Sequence, residues 1–193
     1  MSSYIDFYFD IISPYSYIAH KKIQKIKESK KVIFNYKPIL LGGLHNLAGI
    51  SAPAFNKYKM KNMQSDCELV SKKIDIIFKW NLKFPINSLS IMRGYLSVDD
   101  NQKEEYLDIF FNAYWRDNLD LSSEKEFSKL LEALKIENKI FFEKIKQQSI
   151  KDDLKKLTID AFNKEVFGAP TFIVNNKIFW GQDRFEYAVE ELS

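Results

Sequence analysis

A single cysteine, Cys67, stands among 193 residues. One thiol cannot close an internal disulfide, so no disulfide framework is expected and the cysteine usage points to a reducing compartment. Only 6 glycines and 5 prolines occur, which excludes collagen-like and low-complexity architectures. No apolar run approaches the roughly 18 residues needed to cross a bilayer. Met1-Ser2-Ser3-Tyr4-Ile5-Asp6 lacks the basic stretch and apolar core of a secretory signal. A soluble cytoplasmic protein without a membrane partner is therefore expected. An excess of one charge is missing too: 29 Lys and Arg against 26 Asp and Glu leave +3. The two signs are interleaved, so no basic face for nucleic acid is expected. Neither His20 nor His45 has a Cys, Asp or Glu at metal-ligand spacing, and no metal site is expected. There is no Gly-x-Ser-x-Gly elbow, and Leu41-Gly42-Gly43 lacks the Lys-Ser/Thr of a phosphate-binding loop.

What the chain does have is core material, with 46% apolar and 15% aromatic residues. A chain of this length buries roughly 70% of the surface its unfolded form exposes, as one domain or one domain carrying a large insertion. Tyr4 to Asp10 is apolar and aromatic over a short span and reads as a strand. Ser13 is a good N-cap and Pro14 a good first helical residue. Tyr17, Ile18, Ile23 and Ile26 then mark an amphipathic helix running to about Lys30. Val32 to Lys37 reads as a second strand, ended by Pro38. Strand, helix and strand of these lengths make a right-handed βαβ unit with parallel strands.

The middle differs in character. Leu40 to Phe55, with Gly42, Gly43, Gly49 and Pro53, reads as loop, and helical periods dominate from Lys57 to Glu165. Helices are expected over Cys67–Ile77, Ser90–Leu96, Gln102–Asp117 and Ser123–Leu134, with two more between Asn138 and Phe162. Ser123-Glu124-Lys125-Glu126 has the pattern of a capping box. Strand character returns at Thr171–Val174 and Lys177–Trp180, and Asn175-Asn176 between them predicts a hairpin. Asp183 then reads as the N-cap of a last helix to Leu192. The order β-α-β, helical block, β-β-α predicts an α/β thioredoxin-like fold with a large all-helical insertion. Residues 1–40 and 166–193 form the thioredoxin-like domain, and 41–165 the loop and inserted helical domain.

Two local features carry chemistry. Ser13-Pro14-Tyr15-Ser16 sits where strand one meets helix one, the place of the Cys-x-x-Cys pair in a thioredoxin fold. With serines there, dithiol exchange at this turn is impossible. A hydroxyl beside unpaired N–H groups and the positive helix end can still stabilise an anion such as a thiolate brought from outside. Together these effects are worth roughly 1–3 kcal/mol, or about one to two units of thiol pKa. The second feature is Phe167-Gly168-Ala169-Pro170-Thr171-Phe172. In this fold the proline before that strand faces the helix-start turn and is normally cis, leaving the preceding residue's backbone to pair with an extended peptide. Taken alone, Ser13 is an ordinary N-cap, Ser16 a first-turn residue and Lys59 a solvated lysine; the combination points to a cysteine-containing peptide ligand.

With these motifs the sequence resembles the 2-hydroxychromene-2-carboxylate isomerase and kappa-class glutathione transferase family over nearly its whole length. The pieces that match, in order, are Asp6–Asp10 with Ser13-Pro14-Tyr15-Ser16-Tyr17, Pro38–Gly43, Lys59-Met60, Phe84-Pro85, Val166–Phe172 and Trp180-Gly181-Gln182-Asp183-Arg184. The resemblance implies glutathione as cofactor. It places Ser13 on the glutathione sulfur, Ala169 beside Pro170 on the cysteinyl backbone, Gln182 and Asp183 at the γ-glutamyl end, and Lys59 on the glycine carboxylate. Where the family often has Gly-Asn, this chain has Gly49-Ile50, so an amide contact to glutathione is either missing or taken over by Asn46 or Ser51. The implied reaction is isomerisation of an aromatic hydroxychromene carboxylate by transient thiolate addition. Alternatives are a kappa-class transferase or peroxidase acting on electrophiles, and a non-catalytic module that binds peptides or partner proteins. A homodimer is implied by the same resemblance.

Overall fold

A computed structural model of the chain describes residues 4–29 and 32–192. The expected helix end at Lys30 and the first three residues of the N-terminal segment, Met1 to Ser3, lie outside the described residues. The first strand, β1 (Ile5–Phe9), is buried at every position. It leads through a tight turn into α1 (Pro14–Ser29) and then β2 (Phe34–Pro38). β1 and β2 are parallel, with Ile5 opposite Phe34 and Phe9 opposite Pro38. Pro38 closes β2 without penalty because β2 is an edge strand of a sheet ordered β2-β1-β3-β4.

The other two strands are β3 (Thr171–Val174) and β4 (Lys177–Trp180), both antiparallel to their neighbours. Asn175 and Asn176 join them with φ of 49° and 62°, the left-handed pair that a two-residue hairpin turn requires. Between the halves of this mixed sheet run α2 (Leu41–Ala48), α3 (Lys57–Lys73), α4 (Leu89–Ser97), α5 (Lys103–Trp115), α6 (Glu124–Ala133), α7 (Asn138–Lys144) and α8 (Gln148–Asn163). The final helix, α9 (Phe185–Leu192), packs on β3 and β1.

Several local expectations are corrected. Leu41–Ala48 is helical where loop was expected. Two distant side chains cap its start: Asp10 accepts from the Leu41 N–H at 2.8 Å and Thr158 from the Leu40 N–H at 3.0 Å. Gly49, at φ 65°, closes its other end. The helix expected at Cys67–Ile77 begins ten residues earlier, where Asn56 caps it through the Tyr58 and Lys59 N–H groups, and it ends at Lys73. The capping box at Ser123 does not form, because the Ser123 N–H bonds the Asp120 carbonyl and its hydroxyl makes no cap. Asp183 lies within a 3-10 turn, Gln182–Arg184, rather than capping α9.

One core joins the sheet to the helical block. Phe7 stacks on Phe172 at 5.3 Å, and Phe9 meets Phe111 of α5 at 6.3 Å. His20 of α1 is buried, with Nε2 3.3 Å from Asp108 Oδ1 and Nδ1 3.3 Å from the Tyr36 hydroxyl. Burial lowers the His20 pKa, so the ring is neutral at pH 7. Burial alone would raise Asp108, but bonds from His20 and Lys21 outweigh it and hold that carboxyl far below its usual range.

Gly94 marks a tight joint of the block. A Cβ there would run into the Tyr106 hydroxyl and the Phe141 ring. Tyr106 cannot yield, being fully buried and donating to the Ile91 carbonyl at 3.0 Å. Gly94→Ala should therefore overpack by about 3 kcal/mol. In a chain of this size that is a Tm loss of roughly 6–12 °C in a calorimetric scan. A shift under about 2 °C would show that α4 and α7 separate freely.

Candidate active site

The turn between β1 and α1 is fastened on every side. The Asp10 carbonyl accepts from the Ser13 N–H at 3.0 Å. The Ile11 carbonyl accepts from Trp115 Nε1 at 2.8 Å, and the Ile11 N–H meets Met92 Sδ at 3.5 Å. The Asp10 carboxylate is fully buried and accepts from Ile12 N–H (3.1 Å), Leu41 N–H (2.8 Å) and the Ser88 hydroxyl (3.0 Å). Burial pushes this carboxyl up to about 6, against the pull of those three hydrogen bonds.

Ser13, 4% exposed, stands at the head of α1. Its Oγ accepts from the Ser16 N–H at 3.1 Å, the N-cap bond expected of it. Its hydroxyl proton goes to the Ala169 carbonyl at 2.8 Å. The Ala169–Pro170 bond is cis, and Ala169, two residues before β3, lies against the α1 start across 156 positions of sequence. The loop around it is held from behind: the Thr171 hydroxyl donates to the Gly168 carbonyl at 2.8 Å, and the Gly181 N–H to the Pro170 carbonyl at 2.9 Å. Gly181 has φ 106°, and a Cβ there would strike the Asp183 carboxylate, so only glycine fits this bend.

These segments border a cleft of about 1030 Å³. Ser13, Lys59, Ala169, Pro170, Gln182 and Asp183, the residues singled out from the sequence, all line it, as do Asn46, Ile50 and Ser51. Lys59 is exposed and shares one face of α3 with Met63 and Asp66, at i, i+4 and i+7. Asp183 is also exposed and lies 3.5 Å from the Arg184 guanidinium. Gln182 is 6% exposed, and among the described residues its Oε1 has no hydrogen-bond partner. Ser16 points away from the cleft into the core, with its hydroxyl unpartnered among the described residues. Cys67 is buried, and burial raises its thiol well above the usual range, leaving it inert.

Sequence reasoning assigned no role to Asp10, to the Tyr15–Asp66 bond of 2.8 Å, or to the Phe84–Ser88 wall with its second cis bond at Phe84–Pro85. The only local signal for Asp10 was a carboxylate ending an apolar strand three residues before Ser13. Tyr15 and Asp66 lie 51 positions apart and carried no signal at all. Among the described residues, no three His, Cys, Asp or Glu side chains gather as a metal site. No described helix is long and apolar enough to cross a membrane.

A mixed four-stranded sheet, a cis proline before β3 and a helix start that carries serine in place of cysteine define a thioredoxin fold whose β1–α1 turn cannot exchange a disulfide of its own. The chain matches the DSBA-like thioredoxin domain over residues 4–193 and belongs to that family. It is 26% identical over 189 residues to a 2-hydroxychromene-2-carboxylate isomerase of Sphingobium xenophagum, covering 97% of this chain and 96% of that one. It is 28% identical over 208 residues to glutathione S-transferase kappa 1 of Caenorhabditis elegans, covering 97% and 90%. A solved structure of 2-hydroxychromene-2-carboxylate isomerase superposes with a TM-score of 0.87 at 24% identity, over 97% of this chain and 95% of that one. These relatives are named as enzymes, and this chain is an enzyme as well.

Proposed function

We propose that this protein is a glutathione-dependent isomerase of the 2-hydroxychromene-2-carboxylate type, with Ser13 stabilising the glutathione thiolate. The observation that carries the reading is the Ser13 hydroxyl, set at the α1 N-terminus and 2.8 Å from the Ala169 carbonyl on the floor of the cleft. The cleft also offers an acceptor in want of a donor. Gln182 Oε1 is buried and unpartnered among the described residues, as suits a site for the γ-glutamyl ammonium or amide. Ala169 would meet the cysteinyl backbone, Asp183 the ammonium and Lys59 the glycine carboxylate. Ile50 offers no amide, so Asn46 or Ser51, which line the same wall, would take over that contact.

When bound, glutathione supplies a thiolate nucleophile that the protein itself lacks. Ser13 has one proton to give, and it is engaged with the Ala169 carbonyl. An N–H arriving at that carbonyl replaces the serine there and frees the hydroxyl to turn to sulfur. The residues of the cis-proline loop and the α1 start thus act together, the first binding the backbone and the second holding charge where the helix dipole favours it. Phe84, Ile86, Phe167 and Trp180 give the cleft apolar walls for a flat second substrate. The 28% identity to a kappa transferase favours a second reading, conjugation of an electrophile at the same site. Either enzyme would work in the cytoplasm as a homodimer, as the family resemblance suggests.

Glutathione at 100 times its Kd should stabilise the protein by about 2.7 kcal/mol, raising Tm by roughly 5–11 °C. An unmoved Tm would sink both glutathione readings and leave the peptide- or partner-binding module. Parallel assays with a hydroxychromene carboxylate and a chlorodinitrobenzene then separate isomerase from transferase.

A further inference from the structure

Asp10 sits behind the cleft rather than in it, yet every group it holds belongs to a different part of the wall. Ile12 adjoins Ser13, Leu41 opens the helix that brings His45 and Asn46 to the cleft, and Ser88 ends the Phe84–Ser88 segment. We infer that Asp10 is the positioning residue of this site, its carboxylate tying the β1–α1 turn, the start of α2 and the Phe84–Ser88 wall to one point so that Ser13 faces the cis-proline loop at the right distance. The inference deepens the glutathione reading and rests on it for the identity of the ligand.

Two of the three partners call for an anion. The Ile12 and Leu41 N–H groups can only donate, one to each oxygen, and a carboxylate accepts both in full, whereas protonation or an amide leaves a weaker acceptor or a donor facing one of them and turns the Ser88 hydroxyl into an acceptor. No ion pair compensates the charge among the described residues. The titratable or charged side chains described on the elements around it are Tyr15, Tyr17, His20, Lys21, Lys22, Lys25 and Lys27 on α1, His45 on α2, and Arg93 and Tyr95 on α4, and the hydrogen bonds to the carboxylate come instead from Ile12, Leu41 and Ser88. Tyr15 bonds Asp66, and His20 bonds Asp108 and Tyr36.

A folded-state pKa raised to about 6 means that the native protein binds this proton more tightly than the unfolded chain does. Asp10 therefore favours folding in acid, and that contribution is lost as pH rises through 4 to 6. Above that window the fold carries a buried, unpaired charge at a cost, and what it retains in return is the clamp. The clamp, and with it the ligand site, should loosen as pH falls through about 6.

The test uses S-methylglutathione, whose sulfur cannot titrate, measured by calorimetry between about pH 5 and 7. Backbone amide exchange on the free protein accompanies it. The wild type should lose affinity below about pH 6. Asp10→Asn should weaken binding about tenfold at pH 7, abolish that pH dependence, and speed exchange at the Ile12 and Leu41 amides about tenfold. Ser88→Ala removes one donor to the carboxylate. It should move the wild-type inflection to higher pH, and it carries the test if Asp10→Asn does not fold. Unchanged exchange at Ile12 and Leu41, or a wild-type pH profile retained in Asp10→Asn or left unmoved in Ser88→Ala, would overturn the inference. If the wild type binds S-methylglutathione at no pH, the glutathione reading fails, and amide exchange alone decides the role of Asp10.

Discussion

Replacing Ser13 with alanine should leave glutathione bound while its thiol reverts toward the pKa of a free thiol. Of the two hydroxyls that line the cleft from the Ser13-Pro14-Tyr15-Ser16 turn, that of Tyr15 donates to Asp66, and that of Ser13 stands at the head of α1 beside the Ala169 carbonyl. Its loss should raise the pKa of the bound thiol by about one unit, the helix end keeping its share, read by thiolate absorbance. At neutral pH that removes up to about tenfold of turnover. The substitution also deletes the cap on the Ser16 N–H, at a cost of about 1 kcal/mol to the fold. Ser13→Thr is the control, because threonine keeps both the hydroxyl and the cap, and it should restore stability and thiol pKa together. An unchanged thiol pKa in Ser13→Ala would remove Ser13 from the chemistry.

The second large effect belongs to Trp115, far from the cleft in sequence. Its ring is fully buried and lies against Phe78 (5.7 Å), Trp80 (5.8 Å), Phe84 (5.5 Å) and Tyr114 (4.8 Å). Its Nε1 donates to the Ile11 carbonyl, two residues before Ser13. Trp115→Ala should cost about 4 kcal/mol through the cavity it opens, a Tm fall of roughly 8–16 °C. Trp115→Phe keeps most of the ring contact but leaves the buried Ile11 carbonyl without its donor, at about 1–3 kcal/mol. Because that carbonyl lies in the turn, Trp115→Phe should lower turnover with the cofactor more than its modest Tm loss suggests. Equal Tm losses in the two variants would show that the hydrogen bond, not the aromatic cluster, is what the residue provides.

What could be read from the sequence was whatever depends on neighbours along the chain. The βαβ unit was legible because β1, α1 and β2 each carry their own periodicity, and the hairpin because Asn175-Asn176 can adopt left-handed φ. Ser13, Ala169 and Pro170 could be brought together because the fold order puts the head of α1 opposite the strand after Pro170, whereas Lys59, Gln182 and Asp183 came from the family resemblance. What failed was anything settled across the chain. Gly42 and Gly43 argue for loop locally, and the helix over them exists because Asp10 and Thr158 reach its open N–H groups. Ser123 had the right neighbours for a capping box, but the Asp120 carbonyl takes its N–H first. Asp10 and the Tyr15–Asp66 pair went unassigned for the same reason, since their partners lie between 31 and 78 positions away, the Ile12 bond apart.

The borrowed caps of α2 also set a timetable for synthesis. A helix of eight residues is too short to persist alone, and one of its two capping acceptors, Thr158, is translated 118 positions after the N–H it receives. A ribosome must therefore deliver most of the chain before this side of the cleft can exist. Nascent chains halted ahead of Thr158 should be cut by protease between Leu41 and Ala48, and chains halted well past it should resist. The protein would then be unable to capture its ligand until it is nearly finished.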